Sequence, residues 1–315
     1  MTAPEPIIID TDPGQDDAVA LLLALACPEA LDVLAITTVA GNVPLALTTL
    51  NARKIVDLAE RSDVPVYAGC DQPLLRPLVT AEHVHGRTGL DGPDLPEPAC
   101  PLQPEHAVDA IIRLVRAGEP HTITLCVLGP LTNVAIALRK APDLAARLKG
   151  IVMMAGAYFE VGNITPAAEF NVYVDPEAAK IVLESGAALT LLPLDVTHRA
   201  LATPERIAAL LALGNRAGAA IHAMLTFSER FDLRKYGWAG APLHDPTVIA
   251  HLLQPALFTG RFCNVVIETT GEYTRGMTVA DWWGVSGRPA NATFLRDVDA
   301  DGFFALLTAR LARLP

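Results

Sequence analysis

Short apolar runs alternate with longer segments of helical periodicity along most of the chain. Runs that are apolar throughout are typical of strands covered on both faces. We predict strands at residues 6–10, 33–39, 64–68, 122–128, 151–155 and 189–194, and helices at residues 16–26, 45–60, 105–116, 130–139 and 176–185. Because strand–helix alternation is typical of parallel βαβ units, the pattern predicts an α/β fold: an open, mostly parallel sheet with helices on both faces.

The last third of the chain departs from this alternation. The predicted elements are two consecutive helices within residues 203–236, a helix at 245–253, strands at 262–269, 277–279 and 292–298, and an amphipathic helix at 301–314. We therefore expect a small strand-rich extension near the C-terminus. No linker or repeat interrupts the pattern, so residues 1–315 are predicted to form a single domain.

The composition excludes several classes of protein. The 315 residues carry 24 lysines and arginines against 35 aspartates and glutamates, a formal net charge of −11. A protein that binds the phosphate backbone needs a basic face, so we expect no nucleic-acid partner. With 51% hydrophobic and 19% charged residues, the chain is too apolar to be disordered.

We expect neither a membrane span nor secretion. The longest uncharged apolar run, residues 122–138, is interrupted by Gly129-Pro130 and is shorter than the roughly 20 residues of a spanning helix. The first residues lack the basic region of a signal peptide. The five cysteines form no CxxC pair, which is typical of a reducing compartment. The sequence predicts a cytoplasmic protein.

Four aspartates follow the first predicted strand: Asp10, Asp12, Asp16 and Asp17. Ligands of open α/β sheets bind at the carboxyl ends of the strands. Capping of free N–H groups at a helix start explains one or two of the four. Because carboxylates this close raise each other's pKa unless a cation is present, the cluster predicts a cation site. Carboxylate and carbonyl oxygens suit Ca²⁺ or Mg²⁺.

The same segment allows a second interpretation. Asp10-x-Asp12 after an apolar strand is similar to the motif of haloacid-dehalogenase-like phosphatases, whose first aspartate is the nucleophile and whose cofactor is Mg²⁺. Gly14 stands where that motif has Thr or Val, and the required downstream lysine and acidic pair cannot be placed. This departure weakens the phosphatase hypothesis without excluding it.

Two further clusters combine carboxylates, amides and an imidazole. Asn163, Glu169 and Asn171 can donate to and accept from the hydroxyls of a polyhydroxyl ligand. For Asn163 and Asn171, side chain–backbone bonds that stabilise a loop are the alternative. His244 and Asp245 precede an apolar helix. Asp245 also suits an N-cap followed by proline, so that cluster taken alone favours a structural role.

Together the three clusters resemble the nucleoside hydrolase family, of the inosine–uridine-preferring type. The likeness covers nearly the whole chain, through DTDPGQDDA (10–18), ITTVAGN (36–42), HVHG (83–86), LGPLTNVA (128–135), AEFNVYVDPEAA (168–179) and HDP (244–246). The resemblance implies a single-domain protein with a Rossmann-like sheet and a tightly bound Ca²⁺. It also implies cleavage of the N-glycosidic bond of ribonucleosides to ribose and free base, and assembly as a homodimer or homotetramer.

The resemblance implies a role for each matching residue. The metal ligands are the side chains of Asp12, Asp17 and Asp245 and the backbone carbonyl of Leu128. The ribose contacts are Asp16 with the 2′- and 3′-hydroxyls, Asn42 and Asn171 along the same edge, Asn163 and Glu169 with the 5′-hydroxyl, and Met154 along the sugar. Asp10 is expected to order the loop.

The mechanism that the resemblance implies is consistent with elementary chemistry. Cleavage builds positive charge on the ribosyl ring, which surrounding carboxylates stabilise. Asp12 is the expected general base that takes a proton from a Ca²⁺-bound water. His244 is the expected donor to the leaving base, and His85 a second candidate for contact with the nucleoside.

The wall that faces the base is less defined. The aromatic and imidazole side chains before HDP are His222, Phe227, Phe231, Tyr236 and Trp238. Core packing is the alternative role for at least half of them. Purine or pyrimidine preference therefore stays open. A third hypothesis is a non-catalytic nucleoside-binding protein, but such a protein has less need of the general base that is present here.

Overall fold

The strands of residues 3–315 form one large and one small sheet. The computed structural model describes these residues, apart from the side chains of residues 229–234. In chain order the strands are β1 (Glu5–Thr11), β2 (Leu31–Thr38), β3 (Val66–Ala68), β4 (Leu102–Gln103), β5 (Thr124–Val127), β6 (Gly150–Met153), β7 (Leu189–Leu191), β8 (Leu201–Ala202), β9 (Ala241–Pro242), β10 (Phe258–Ile267), β11 (Thr278–Asp281) and β12 (Ala292–Val298).

The large sheet is mostly parallel, as predicted. Its order in the described part of the chain is β11-β10-β12-β7-β6-β5-β1-β2-β3-β4, and β8 pairs with β9 separately. Neighbours from β12 to β4 run parallel, whereas β10 is antiparallel to both of its neighbours. Because β1 lies between β2 and β5, the chain order reverses there. Open α/β sheets form their ligand crevice at such a switch point.

Helices connect the strands. In chain order they are α1 (Gln15–Leu25), α2 (Leu45–Leu58), α3 (Glu82–His85), α4 (Ala107–Ala117), α5 (Thr132–Lys140), α6 (Leu144–Arg147), α7 (Phe170–Val174), α8 (Pro176–Leu183), α9 (Leu194–Thr197), α10 (Pro204–Leu211), α11 (Arg216–Tyr236), α12 (Pro246–Leu253) and α13 (Ala300–Leu311), with a 3₁₀ turn at Pro255–Leu257.

Both faces of the large sheet are covered. Ile7 and Ile9 belong to one hydrophobic core and Ile8 to the other, because successive side chains of a strand point to opposite faces. α1 lies in the first core and is buried at every position except Asp16. A helix that is apolar nearly all round must be enclosed in this way, and α1 contacts α2, α11, α12 and α13.

The predicted strands and helices are all present, with ends that differ by a few residues. The strand-rich C-terminal region extends the large sheet, because β12 pairs in parallel with β7. The shortest elements are not predicted, because α3, α6, α7, α9, β4, β8 and β9 are too short to show a period. Among the described helices, none has the length and apolar character needed to cross a membrane.

Candidate active site

A crevice lies beside the switch point, where β1, β5 and β6 end. It is lined by most of the predicted site residues, namely Asp16, Asn42, His85, Leu128, Met154, Asn163, Glu169, Asn171, His244 and Asp245. The remaining two, Asp12 and Asp17, are buried and accept hydrogen bonds from Asn42. The fold thus brings together residues that are widely separated in the sequence.

Asp10 lies below the crevice, within β1 between β2 and β5. It is fully buried, and its Oδ1 accepts hydrogen bonds from Thr37 Oγ1 at 2.6 Å and Asn133 Nδ2 at 2.8 Å. Burial raises the pKa of Asp10 to about 7. A phosphatase nucleophile has to reach its substrate, and Asp10 is not among the residues that line the crevice. This position supports the predicted role in ordering the loop.

Asp12 follows the end of β1 and has one oxygen held and one unused. The backbone N–H of Asn42 donates to Oδ2 at 2.7 Å, whereas Oδ1 is buried and has no hydrogen-bond partner among the described residues. Two glycines permit this approach. A Cβ would lie 2.0 Å from Oδ2 at Gly41 and 2.3 Å from Oδ1 at Gly129. An unpaired buried carboxylate oxygen is costly unless a cation or ligand meets it.

Asp17 stands in the first turn of α1 and combines two roles. Its carboxylate accepts hydrogen bonds from Gly14 N at 3.0 Å, Thr11 Oγ1 at 2.5 Å and Asn42 Nδ2 at 3.1 Å. The bond from Gly14 is the capping interaction that the sequence offers as an alternative. Capping and participation in the acidic cluster therefore coexist at Asp17.

The carboxylates of Asp16, Asp17 and Asp245 each offer an oxygen, and these atoms lie within 4.8 Å of one another. We call these three residues and Asp12 the carboxylate floor. Burial and the neighbouring carboxylates raise the pKa of Asp12 and of Asp245 well above the usual value, and raise that of Asp17 to about 6. A divalent cation reverses this repulsion, and the all-oxygen donor set suits a hard cation.

The residues predicted to bind ribose also hold their own loop. Glu169 caps α7 and accepts hydrogen bonds from the N–H groups of Gly156, Asn171 and Val172 at 2.8–3.2 Å. Asn163 Oδ1 accepts from Phe170 N at 2.9 Å. The loop-stabilising alternative is thus observed at Asn163, and Glu169 has a capping role that was not predicted. Both residues nevertheless line the crevice, and a carboxylate has acceptor capacity left after three bonds.

Asn171 links the floor of the crevice to β5 and β6. Its Nδ2 donates to the carbonyl oxygen of Leu128 at 2.7 Å and to that of Met154 at 3.1 Å. Leu128 directly precedes Gly129, whose lack of a Cβ leaves room for Asp12. Each carbonyl oxygen has two lone pairs, so the Leu128 carbonyl keeps one for a further partner.

Two histidines from distant parts of the sequence, His85 and His244, line the crevice. The Nδ1 of His244 lies 2.7 Å from Thr197 Oγ1, and the Nδ1 of His85 lies 2.6 Å from Gln15 Oε1. Burial lowers the pKa of both imidazoles. Each ring therefore has one nitrogen held by the protein and a second nitrogen available to a ligand.

Sequence reasoning missed several lining residues. Gln15 lies inside the DTDPGQDDA motif after β1, and His198 follows α9, the short helix after β7. Both residues lie near the carboxyl end of a strand, where ligands of open α/β sheets bind, so this rule could have identified them. Lys235 donates to the carbonyl oxygen of Asn163 at 2.7 Å. Nothing in the local sequence signals that contact, because it joins α11 to a distant loop.

One side of the crevice is aromatic. Tyr236 stacks on Trp238 with ring centroids 4.3 Å apart at 13°, and His198 meets Trp238 edge-on at 4.8 Å. We call these three residues the aromatic wall; Tyr236 and His198 line the crevice. Of the other candidates, Phe227 lines a different groove, His222 is not among the crevice-lining residues, and the side chain of Phe231 lies outside the described residues.

A cluster of buried carboxylates beside amides, in a crevice at the switch point of an α/β sheet, is typical of a metal-dependent enzyme. The chain belongs to the inosine-uridine preferring nucleoside hydrolase family, whose family model matches residues 7–305. The predicted family and the predicted ribonucleoside hydrolase activity are thereby confirmed. The phosphatase and the non-catalytic binding protein are not supported.

Relatives are similar over the full length. An uncharacterized protein of Schizosaccharomyces pombe is 55% identical over 98% of this chain and 99% of its own. The pyrimidine-specific ribonucleoside hydrolase RihA of Photobacterium profundum is 50% identical over 98% of each chain. A solved structure, the purine-preferring ribonucleoside hydrolase from Gardnerella vaginalis, has a TM-score of 0.92 at 30% identity and covers 98% of each chain.

Proposed function

We propose that this crevice hydrolyses the N-glycosidic bond of ribonucleosides with the help of a bound Ca²⁺. The observation that carries the proposal is the carboxylate floor: four buried or half-buried aspartates whose repulsion requires a cation. The amides and histidines around it complete a site for a sugar and a base.

The donor set supports Ca²⁺ over softer metals. The proposed ligands are the carboxylates of Asp12, Asp17 and Asp245 and the carbonyl oxygen of Leu128, all hard oxygen donors. The unused Oδ1 of Asp12 and the close oxygens of Asp17 and Asp245 fit a cation. When bound, the metal supplies a Lewis acid that acidifies and orients the attacking water.

Asp16 and the amides are proposed to hold the ribose. Asp16 lines the crevice, as do Asn42 and Asp245, and is proposed to accept hydrogen bonds from the 2′- and 3′-hydroxyls. Asn171 contacts the same edge, and Asn163 and Glu169 hold the 5′-hydroxyl. Met154 packs along the sugar. Buried polar groups that lack their hydroxyl partners are expensive, so this set selects a ribosyl group.

Three groups then divide the chemistry. Asp12 accepts the proton of the attacking water as general base. The floor carboxylates stabilise the positive charge that develops on the ribosyl ring. His244 donates a hydrogen bond to the departing base from the far side, and His85 contacts the nucleoside beside it.

We further propose a preference for pyrimidine ribonucleosides. A relative of 50% identity carries the name pyrimidine-specific ribonucleoside hydrolase, whereas the solved purine-preferring enzyme is 30% identical.

We also propose that residues 1–315 act as one domain, because the large sheet takes strands from the first and the last parts of these residues. The proposed location is the cytoplasm, and the proposed assembly is a homodimer or homotetramer.

One assay tests the proposed function. The purified, Ca²⁺-loaded protein is incubated with uridine, inosine and a phosphate monoester, and reducing sugar and inorganic phosphate are measured. We expect reducing sugar from the nucleosides, more from uridine than from inosine, and no phosphate. Reducing sugar from neither nucleoside contradicts the proposal, and faster cleavage of inosine contradicts the pyrimidine preference.

A further inference from the structure

The short helix α9 lies directly behind His244. Thr197, its last residue, is fully buried, and its Oγ1 lies 2.7 Å from the Nδ1 of His244. Among the hydrogen bonds of the described residues, this ring nitrogen is the partner of the Thr197 hydroxyl. The pair therefore joins the end of α9 to the segment that carries the proposed donor to the base.

Both members of this pair are held by the backbone around them. α9 is anchored by the Leu194 N–H, which donates to the Gly156 carbonyl oxygen at 2.9 Å, and by the Thr197 N–H, which donates to that of Pro193 at 3.1 Å. The segment before His244 is tied down by the pairing of β8 with β9. The Leu243 N–H adds a bond to the Ala200 carbonyl oxygen at 2.9 Å. The backbone at Thr197 and at His244 therefore cannot shift without disturbing these hydrogen bonds.

An imidazole held at Nδ1 has one nitrogen left to offer. The buried Thr197 hydroxyl has His244 Nδ1 as its partner among the described residues, so its hydrogen is satisfied if it donates to that nitrogen. Nδ1 is then the acceptor, and the hydrogen of the neutral ring is on Nε2. His244 lines the crevice, which places the donor nitrogen toward the ligand. Outer partners of this kind are known to fix both the tautomer and the orientation of a functional histidine.

We propose that Thr197 is a positioning residue for His244, which fixes the ring so that Nε2–H faces the leaving base. The proposal rests on the proposed function of His244. It assigns a role in the reaction to a residue that does not itself touch the substrate.

The kinetic test uses the full-length, Ca²⁺-loaded protein with Thr197→Val, Thr197→Ser and Thr197→Ala. Removing an outer hydrogen-bond partner of a metal-ligating histidine typically costs about 10–100-fold, and we expect an effect of the same order for the partner of His244. We expect a loss of this size in kcat on uridine for the Val and Ala variants, with KM little changed, and near-normal kcat for Ser. A nitrophenyl riboside, whose leaving group needs no donor, should be cleaved at nearly the wild-type rate by all three.

Thr124→Val is the matched control. Thr124 is a buried, hydrogen-bonded threonine at the start of β5, the end of the strand away from the crevice. We expect it to leave kcat unchanged on both substrates. A wild-type kcat for Thr197→Val on uridine overturns the proposal, as does an equal loss on the two substrates.

Nitrogen NMR of ¹⁵N-histidine-labelled protein gives a readout that is independent of turnover. The His244 signals are identified by their absence from a His244→Gln spectrum. We expect a tautomer with hydrogen on Nε2 in the wild type and in Thr197→Ser, and a changed tautomer or a mixture in Thr197→Val. Identical His244 signals in wild type and Val variant overturn the proposal. Failure of the wild type to cleave any nucleoside would refute the proposed function, and the spectra would still decide the contact.

Discussion

The carboxylate floor and the aromatic wall face the same crevice but are built differently. The floor is built around the end of β1: Asp12 follows this strand, and Asp17 lies in the first turn of α1. Hydrogen bonds from Asn42 and Gly14 hold these two carboxylates. The wall is set by the end of α11 and the loop after it, where ring stacking replaces buried hydrogen bonds. Directional bonds between buried groups tolerate little change, whereas stacked rings can be exchanged.

This difference separates two tasks. Every ribonucleoside presents the same sugar, so the part of the site that binds it can be rigid. Bases differ in size and polarity, so selectivity between them has to lie where the protein can vary. We therefore expect changes in the floor to affect all substrates strongly, and changes in the aromatic wall to affect substrates unequally and weakly.

The largest expected effect is the loss of a substrate hydroxyl. A site built to bond a hydroxyl rejects the analogue that lacks it by about 10⁴–10⁵-fold. We expect kcat/KM for 2′-deoxyuridine to fall by this order relative to uridine. The measurement is initial rates of both at several concentrations. Equal cleavage of the two nucleosides would mean that Asp16 and Asn42 do not read the 2′-hydroxyl.

Asp12→Asn comes next. The amide keeps the shape of the side chain but cannot accept a proton, and general base catalysis contributes about 10²–10⁴-fold. We expect kcat to fall by this amount on uridine and inosine alike. Metal content is measured beside the rate, because Asp12 is also a proposed ligand. Near-normal turnover with bound calcium would remove Asp12 from the role of base.

His244→Ala should discriminate between leaving groups. We expect about a 10²-fold loss of kcat on uridine, at the lower end of acid–base effects, and a loss of only a few-fold on a nitrophenyl riboside. Calcium content should be unchanged, because His244 is not a proposed ligand. Equal losses on both substrates would place His244 in sugar binding or in structural support.

Metal removal should destabilise the protein in a pH-dependent way. Asp17 has a pKa of about 6 in the folded chain against a usual 3.8, so the metal-free folded state holds the proton more tightly than the unfolded state. The free energy of unfolding of the metal-free protein therefore falls as pH rises through the window between 3.8 and about 6. Bound metal adds about 2.7 kcal/mol at 100 times its Kd. We expect the gain in Tm on adding Ca²⁺ to increase over this window; a pH-independent gain contradicts this.

The smallest effect is expected in the aromatic wall. Trp238→Ala removes the ring that stacks on Tyr236, an interaction of about 0.5–1.5 kcal/mol, which corresponds to about tenfold or less. We expect the ratio of kcat/KM for uridine and inosine to change by that factor. Trp283→Ala, at an exposed tryptophan (75%), is the control. An equal loss on both nucleosides would place the wall outside base selection.

The sequence predicts the floor well and the wall poorly, for a physical reason. Asp12 and Asp17 lie in one short motif after an apolar strand, and the rule for open α/β sheets places that motif at the crevice. The wall depends on how α11 and the loop after it pack against α9. That arrangement depends on contacts between distant segments, such as the edge-on contact of His198 with Trp238, which no local periodicity encodes.

Short elements escape prediction for a related reason. α9 is four residues long, too short to display a helical period, and it carries Thr197 and precedes His198. The dual use of Glu169 as a helix cap and a crevice residue is equally invisible, because one sequence pattern is compatible with either role. Only the three-dimensional structure shows that Glu169 has both roles.

The carboxylate floor joins residues from distant parts of the sequence, which has a consequence for biosynthesis. Asp245 is made 245 − 12 = 233 residues after Asp12. At about 5–20 residues per second, the nascent chain carries the first acidic cluster for roughly 10–50 s before its last proposed partner is made. During that interval the proposed site lacks Asp245, so an ion held by all of its proposed ligands can bind only after that residue has been made.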